Sequence, residues 1–542
     1  MVDEVQFQAT ERVACSPRSN GRAAQTDLWL DELGHQLDSF PIDLGDLPIA
    51  DALPPRYGDR RLRQMLDRVW ACVRSFEGEK LQAWMAVLLA LVETERPTLR
   101  RSQRDEVMTL IAIGLVWRDD TEGATSQVWA LLERSTSRFR STLLAIQRLA
   151  AWRRRDFDRF YQLPRTRLGR AHTPVALVRA VNLAMEAAAE AEQLRFKAAE
   201  RLAKEALKLS SDIKGAEGQG LLLPTCVLAS IAYETGAMDE AELLLRGRMA
   251  LMDRKGDAES ATLAYFVGAR VALAQGNHNV ALMVLEQGEE IGVRRRWPRL
   301  VFRCASENIR LQLEDGRLDL AQQGLARIDH WLTDNPQLRM GRPLEAWPLQ
   351  LAKCRVLIAA NESCAAVDAG QVLLDLALRW NHPELVIRCS ILLTTALYAS
   401  GRVEQSIEML RTTLLQGADA GLFQTFLDDL PLIVGVLKRL KSESGASLGH
   451  MGGLVESLLG AKGHRALASR KKTSNHGLSE GLTERETVVL RLMSLGLSNK
   501  EIARELNIMT ETIKSHAKRI FIKLAANGRT EAVSRAIELG VI

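Results

Sequence analysis

The side chains best suited to chemistry lie near the end of the 542-residue chain. If residues 510–524 are helical, Ser515, Lys518 and Arg519 fall on one face with Lys514 on its shoulder, opposite Ile513, Ala517, Ile520, Phe521 and Leu524. A short-chained cationic face of this kind suits the DNA major groove, where lysine or arginine bonds guanine acceptors and serine bonds several base edges. Asn499, Lys500, Thr512 and Lys523 are placed to hold phosphates, contacts that set register and affinity without reading sequence.

Those side chains need a rigid frame, and its punctuation is legible. Thr483 with Glu486, and Ser498 with Glu501, are capping boxes that fix two helix starts. Val488, Val489, Leu490, Leu492 and Met493 give the first helix an apolar side, Gly496 ends it, and Ile502, Ala503 and Leu506 stripe the second. A fourth helix is expected over 529–539, with Ala532, Val533, Ala536 and Ile537 apolar.

The stretch Leu482-Thr-Glu-Arg-Glu486, then Gly496-Leu-Ser-Asn-Lys-Glu-Ile-Ala503, Thr512-Ile-Lys-Ser-His516, Lys523-Leu524 and Arg529-Thr530 resembles the LuxR-type helix-turn-helix. The resemblance implies a bacterial transcription regulator that binds double-stranded DNA as a homodimer, with RNA polymerase as a further partner. It makes Lys514, Ser515 and Lys518 the base readers, leaves Arg519 with the phosphate contacts, and puts a dimer face on the fourth helix, here Ala532, Val533 and Ala536. Two departures stand out. Met509 replaces the usual capping Ser or Thr of the recognition helix, a loss of about 1 kcal/mol unless Asn507 or Thr510 substitutes. Ala525-Ala-Asn-Gly528 also differs from the usual turn, which loosens the expected angle of the fourth helix.

Upstream, Gly236, Gly276, Gly316, Asn361 and Gly401 recur with a period near forty. Five positions after each stands a small residue (Ala241, Ala281, Ala321, Ala366, Ser406), and four further on stands leucine at 245, 285, 325 and 410, with Gly370 the exception. A left-handed cap closing one helix, followed by a small residue that lets the next pack close, describes a helical hairpin. Stacked hairpins make an α-solenoid. Residues 199–206 suggest an earlier unit, and weaker helical patterns reach back through 60–170. The repeats resemble tetratricopeptide-like arrays, and more closely the sensor region of MalT-like LuxR regulators; residues 421–440 are similar to the segment with which such arrays commonly finish. That resemblance implies a groove or end surface for a small-molecule or protein effector that alters self-association.

The expected fold is therefore all-α. Residues 1–60, with Pro41, Pro48, Pro54 and Pro55, form an irregular lead; 61–440 form the sensor or interaction array; 441–477 form a basic flexible linker; 478–542 form the DNA-binding domain. In the linker, Lys462, Arg465, Arg470, Lys471 and Lys472 either add salt-sensitive phosphate contacts or serve only as a soluble tether.

Composition narrows the function. With 46% apolar residues the chain can bury a large core, and the net charge of +5 is too mild to establish nucleic-acid binding by itself. Seven scattered cysteines without a C-x-x-C pair or a histidine cluster at ligand spacing read as reduced thiols and exclude a metal site, which fits the cytoplasm. No apolar run approaches the roughly 20 residues of a membrane span, and no signal-peptide core is present. MalT-like regulators carry a nucleotide-binding module, but no G-x-x-x-x-G-K-[S/T] loop occurs here, so neither a nucleotide cofactor nor an ATP-driven switch is expected. The adjacent acids Asp119-Asp120, Glu289-Glu290 and Asp428-Asp429 point apart on a helix and read as solvated charges, while His172, His330 and His382 stand alone. The chain is not expected to be an enzyme. The alternative to a regulator is a non-enzymatic scaffold or antagonist that binds a regulator through its repeats.

Overall fold

The computed structural model describes residues 59–95, 99–133, 139–164, 175–212, 221–335, 346–444, 448–470, 482–506, 508–524, 526 and 528–538. Every element among them is helical, and no helix is long and apolar enough to cross a membrane. The expectations for residues 1–58, and for Lys471 and Lys472, lie outside the described residues.

Each of the five repeat-marking residues has the expected left-handed conformation: φ is +87° at Gly236, +80° at Gly276, +74° at Gly316, +61° at Asn361 and +81° at Gly401. All five turns share one hydrogen-bond pattern. At Gly276, for example, its N–H donates to the carbonyl of Leu273 while Asn277 N–H reaches back to Ala272. This is the Schellman arrangement, which satisfies carbonyls left over at the helix end. The small residues five positions on, from Ala241 to Ser406, are fully buried, as close helix packing requires.

The same turn closes helices earlier in the chain, at Phe76, Asp119, Arg155 and Leu194, all with φ near +60°. The period near forty therefore runs from residue 76 to residue 401. Its first half was faint in the sequence because non-glycine residues there accept the strain of a left-handed backbone.

The array curls back on itself, and buried ion pairs make the closure. Asp119 bonds Arg153 at 3.0 Å and Arg299 at 3.0 Å, and Trp297 Nε1 donates to the Trp117 carbonyl beside it. Glu234 accepts from Thr425 N–H at 3.1 Å, and Asp429 takes both Arg355 nitrogens at 2.7 and 2.9 Å. Asp428 receives Tyr233 and Arg270. The expectation of solvated acids thus needs correction: Asp119, Glu289, Asp428 and Asp429 are all buried. Their partners lie as far as 195 residues away in the sequence, so only the superhelix brings them together.

His382 belongs to the same interior. It caps the helix Pro383–Ala399 by accepting from Leu385 N–H, and burial, with Arg155 nearby, lowers its pKa to about 3. The folded state then holds fewer protons than the unfolded state below pH 6.5, so stability is complete above that value and declines as pH falls toward 3. His382→Asn keeps a cap acceptor and removes the titration. Between pH 6.5 and 5 the native chain is expected to lose about 2 kcal/mol more than the variant, read from denaturant midpoints; parallel losses would contradict this.

At the end of the array the structure departs from a flexible linker. Residues Gly452–Arg470 form a helix, and Leu448, Met451, Val455 and Leu458 bury one stripe against the last hairpin. Their spacing of three and four residues is helical, although the cationic composition had suggested a tether. Of the described cysteines, all are free thiols and only Cys364 is exposed.

Candidate nucleic-acid interface

Four short helices, Glu484–Ser494, Asn499–Glu505, Thr510–Lys523 and Arg529–Glu538, build the C-terminal domain. Both capping boxes form. Thr483 N–H donates to Glu486 at 2.8 Å and Ser498 N–H to Glu501 at 2.7 Å, while each hydroxyl accepts the return bond. Gly496, at φ +83°, closes the first helix. Ile513, Ala517, Ile520 and Leu524 bury the inner face of Thr510–Lys523 against Val489, Leu490 and Ile502. Arg529, which the sequence left without a role, donates to the carbonyls of Met493 and Leu497 and so fixes the turn between the first two helices.

This core leaves Lys514, Ser515, Lys518 and Arg519 exposed on one side of the third helix. Lys500 is exposed and Asn499 half-buried at the start of the second. Two of the expected phosphate contacts are placed otherwise. Thr512 is buried, and Lys523 bonds Glu486 at 2.7 Å, which engages it inside the domain. The residues expected to form a dimer face are also placed otherwise. Ala532 and Ala536 have no exposed surface, because the fourth helix packs them against the first and third helices; Val533 is half-buried and Ile537 lies outward, 59% exposed. A fully enclosed side chain cannot touch a partner, and the accessible apolar side chains of this helix are Val533 and Ile537.

The domain docks on the array. Helix His278–Arg295 packs against helix Glu484–Ser494, and the apolar core is continuous across the contact. Glu286 pairs with Arg485. Gln287 Oε1 accepts the backbone N–H of Met509 at 3.3 Å. Met509 is the position lacking a capping hydroxyl, and the array supplies from 222 residues away an acceptor like the one a capping-box glutamate gives. The exposed side of helix Thr510–Lys523 stays open while its N-terminal end is held. Sequence reasoning missed Glu286, Gln287 and Arg485; the vacant cap at Met509 was the one signal that led toward them.

Comparison with known proteins agrees with this architecture. Residues 480–536 match the model for bacterial regulatory proteins of the luxR family, and residues 159–443, more than half the chain, match that for the MalT-like TPR region. The HTH-type transcriptional regulator AlkS of Ectopseudomonas oleovorans is 24% identical over 318 residues, 57% of this chain and 34% of that protein. Transcriptional regulatory protein YdfI of Bacillus subtilis is 44% identical over 61 residues, 11% of this chain and 29% of YdfI. Serine/threonine-protein kinase PknK of Mycobacterium tuberculosis is 35% identical over 97 residues, 18% of this chain and 9% of the kinase. The chain spans about a third or less of the length of these relatives. With repeat turns, an inward-packed solenoid and a doubly capped helix-turn-helix all in place, the chain belongs to the MalT-like TPR family and ends in a DNA-binding domain of the luxR family.

Proposed function

We propose that the chain is a non-enzymatic, sequence-specific transcription regulator of the bacterial cytoplasm, whose repeat array senses an effector or partner and controls DNA binding by docking the C-terminal domain. Lys514, Ser515 and Lys518 read base edges, and Lys500, Asn499 and Arg519 hold phosphates. Two copies joined through Val533 and Ile537 supply the effective concentration that one small module lacks. RNA polymerase is the partner through which such a regulator acts.

The observation that supports control by docking is the grip on Met509 and Arg485. A recognition helix enters the groove N-terminal end first, which brings phosphates beside that end. There the docked array presents Glu286 and occupies Met509 N–H, so DNA meets a carboxylate and an engaged donor instead of a free helix terminus. Binding must first undock the domain, and the fraction undocked scales the apparent affinity.

The combined Glu286→Gln and Gln287→Met change removes one ion pair and one hydrogen bond, together worth about 1.4 kcal/mol. Fluorescence anisotropy on a selected DNA fragment is expected to show about tenfold tighter binding than the native chain. Unchanged or weaker binding by the folded variant would contradict control by docking.

A further inference from the structure

A cavity of about 110 Å³ sits in the hollow of the superhelix, bordered by hairpins from Trp152 to Leu422. Its walls are mainly apolar, from Phe196, Leu263, Phe266 and Trp347, and of the arginines on its border one cation differs from the rest. That cation, Arg303, is held but not satisfied. Its guanidinium lies 3.7 Å from the centre of the Phe266 ring and 4.8 Å from that of Trp347. The nearest carboxylate is Glu384, at 3.8 Å, beyond hydrogen-bond length, and Glu384 already accepts from Arg388 at 2.9 Å. Among the described residues Arg303 donates no hydrogen bond.

The Arg303 side chain keeps 13% of its surface accessible, and a guanidinium that borders the cavity without a protein hydrogen-bond partner leaves its donors for a ligand. Every other arginine bordering the cavity has its carboxylate: Arg155 has Glu192, Arg153 and Arg299 share Glu259, and Arg388 has Glu234 and Glu384. Burial, aggravated by Arg388, lowers the Arg303 pKa to about 9, a sign of the same unmet need.

We propose that this cavity binds a small monocarboxylic acid with an apolar body, its carboxylate seated bidentate on Arg303 and its body against Phe196, Leu263 and Trp347. A planar carboxylate fits the guanidinium fork, and stacking between two rings has already fixed the fork in place. A phosphate ion fits worse, since it has no apolar body to set against Phe196, Leu263 and Trp347. By the ~10–15 Å³ that one water needs, the cavity holds roughly eight heavy atoms.

The link to DNA rests on the regulator reading above. Phe266 lies on Ala258–Ala274 and Arg303 on Pro298–Glu314, two helices that pack against each other and against the helix that carries Glu286 and Gln287. A ligand that draws Arg303 away from Phe266 shifts the docking helix that packs on both of their helices.

Calorimetric titration of the full chain with benzoate and with hexanoate, against benzamide and inorganic phosphate, tests the site. At least one carboxylate is expected to bind saturably, with benzamide and phosphate about tenfold weaker or worse. Arg303→Met should abolish binding; Arg303→Lys, which keeps the charge and guards against a folding defect, should weaken it about tenfold. Equal affinity for benzamide, equal affinity of Arg303→Lys and native chain, or no carboxylate binding at millimolar concentration would overturn the proposal. Sequence-selective DNA binding measured without acid stands or falls separately, so failure of the site and failure of the regulator reading are distinguishable.

Discussion

Glu307→Ala is expected to cost about 3–5 kcal/mol of array stability, the range for removing one partner of a buried ion cluster. Glu307 is 4% exposed and accepts from Arg270 at 3.0 and 2.9 Å and from Arg310 at 3.0 and 2.7 Å. Without it, two buried guanidiniums keep only Asp428 and Glu314. Burial alone would raise the Glu307 pKa, but Arg270 and then Arg310 outweigh it and hold the carboxyl well below 4.5. A depressed acid stabilises fully above its unfolded value and loses that contribution as pH falls through the folded one. The penalty in the variant should therefore be complete at pH 7 and shrink in acid. Denaturant midpoints of native and variant chains, followed by tryptophan fluorescence, check this. A loss under about 1 kcal/mol at pH 7 would mean that the cluster contributes little to closure.

Changing Lys514 and Lys518 together to alanine is expected to weaken binding to a preferred fragment about a hundredfold or more, since each good base contact is worth about 1–3 kcal/mol. Binding to unrelated DNA should fall far less. Lys500→Ala is the contrast: with its proposed phosphate contact gone, binding is expected to weaken on all sequences alike and the salt slope to fall by about one. Equal losses on preferred and unrelated fragments in the double variant would demote both lysines to phosphate binders. Anisotropy titrations at several salt concentrations separate the two patterns.

What could be read from the sequence was local. A threonine with a glutamate three residues on, or a glycine repeated at a period near forty, encodes its geometry within one turn, and the structure has both. What could not be read was placed by closure of the solenoid. Asp428 and Asp429 look like any surface pair until residues 270 and 355 arrive from other hairpins, and adjacent positions then face two different guanidiniums. Ala532 and Ala536 illustrate a second limit, since alanine suits both a tight core and a tight dimer seam and the helical stripe does not tell them apart. Docking lay furthest from view. Met509 marked a missing acceptor, but nothing near it in the chain pointed to Gln287.

The central claim is that the exposed face of the recognition helix chooses DNA sequence. Selection of bound fragments from random and genomic DNA by the full-length chain, repeated with Lys514 and Lys518 both changed to alanine, tests it most directly. The account predicts a recurring sequence motif with the native chain that disappears in the double variant. A motif that survives in the double variant, or none with the well-folded native chain and its Glu286→Gln/Gln287→Met undocked form, would contradict it.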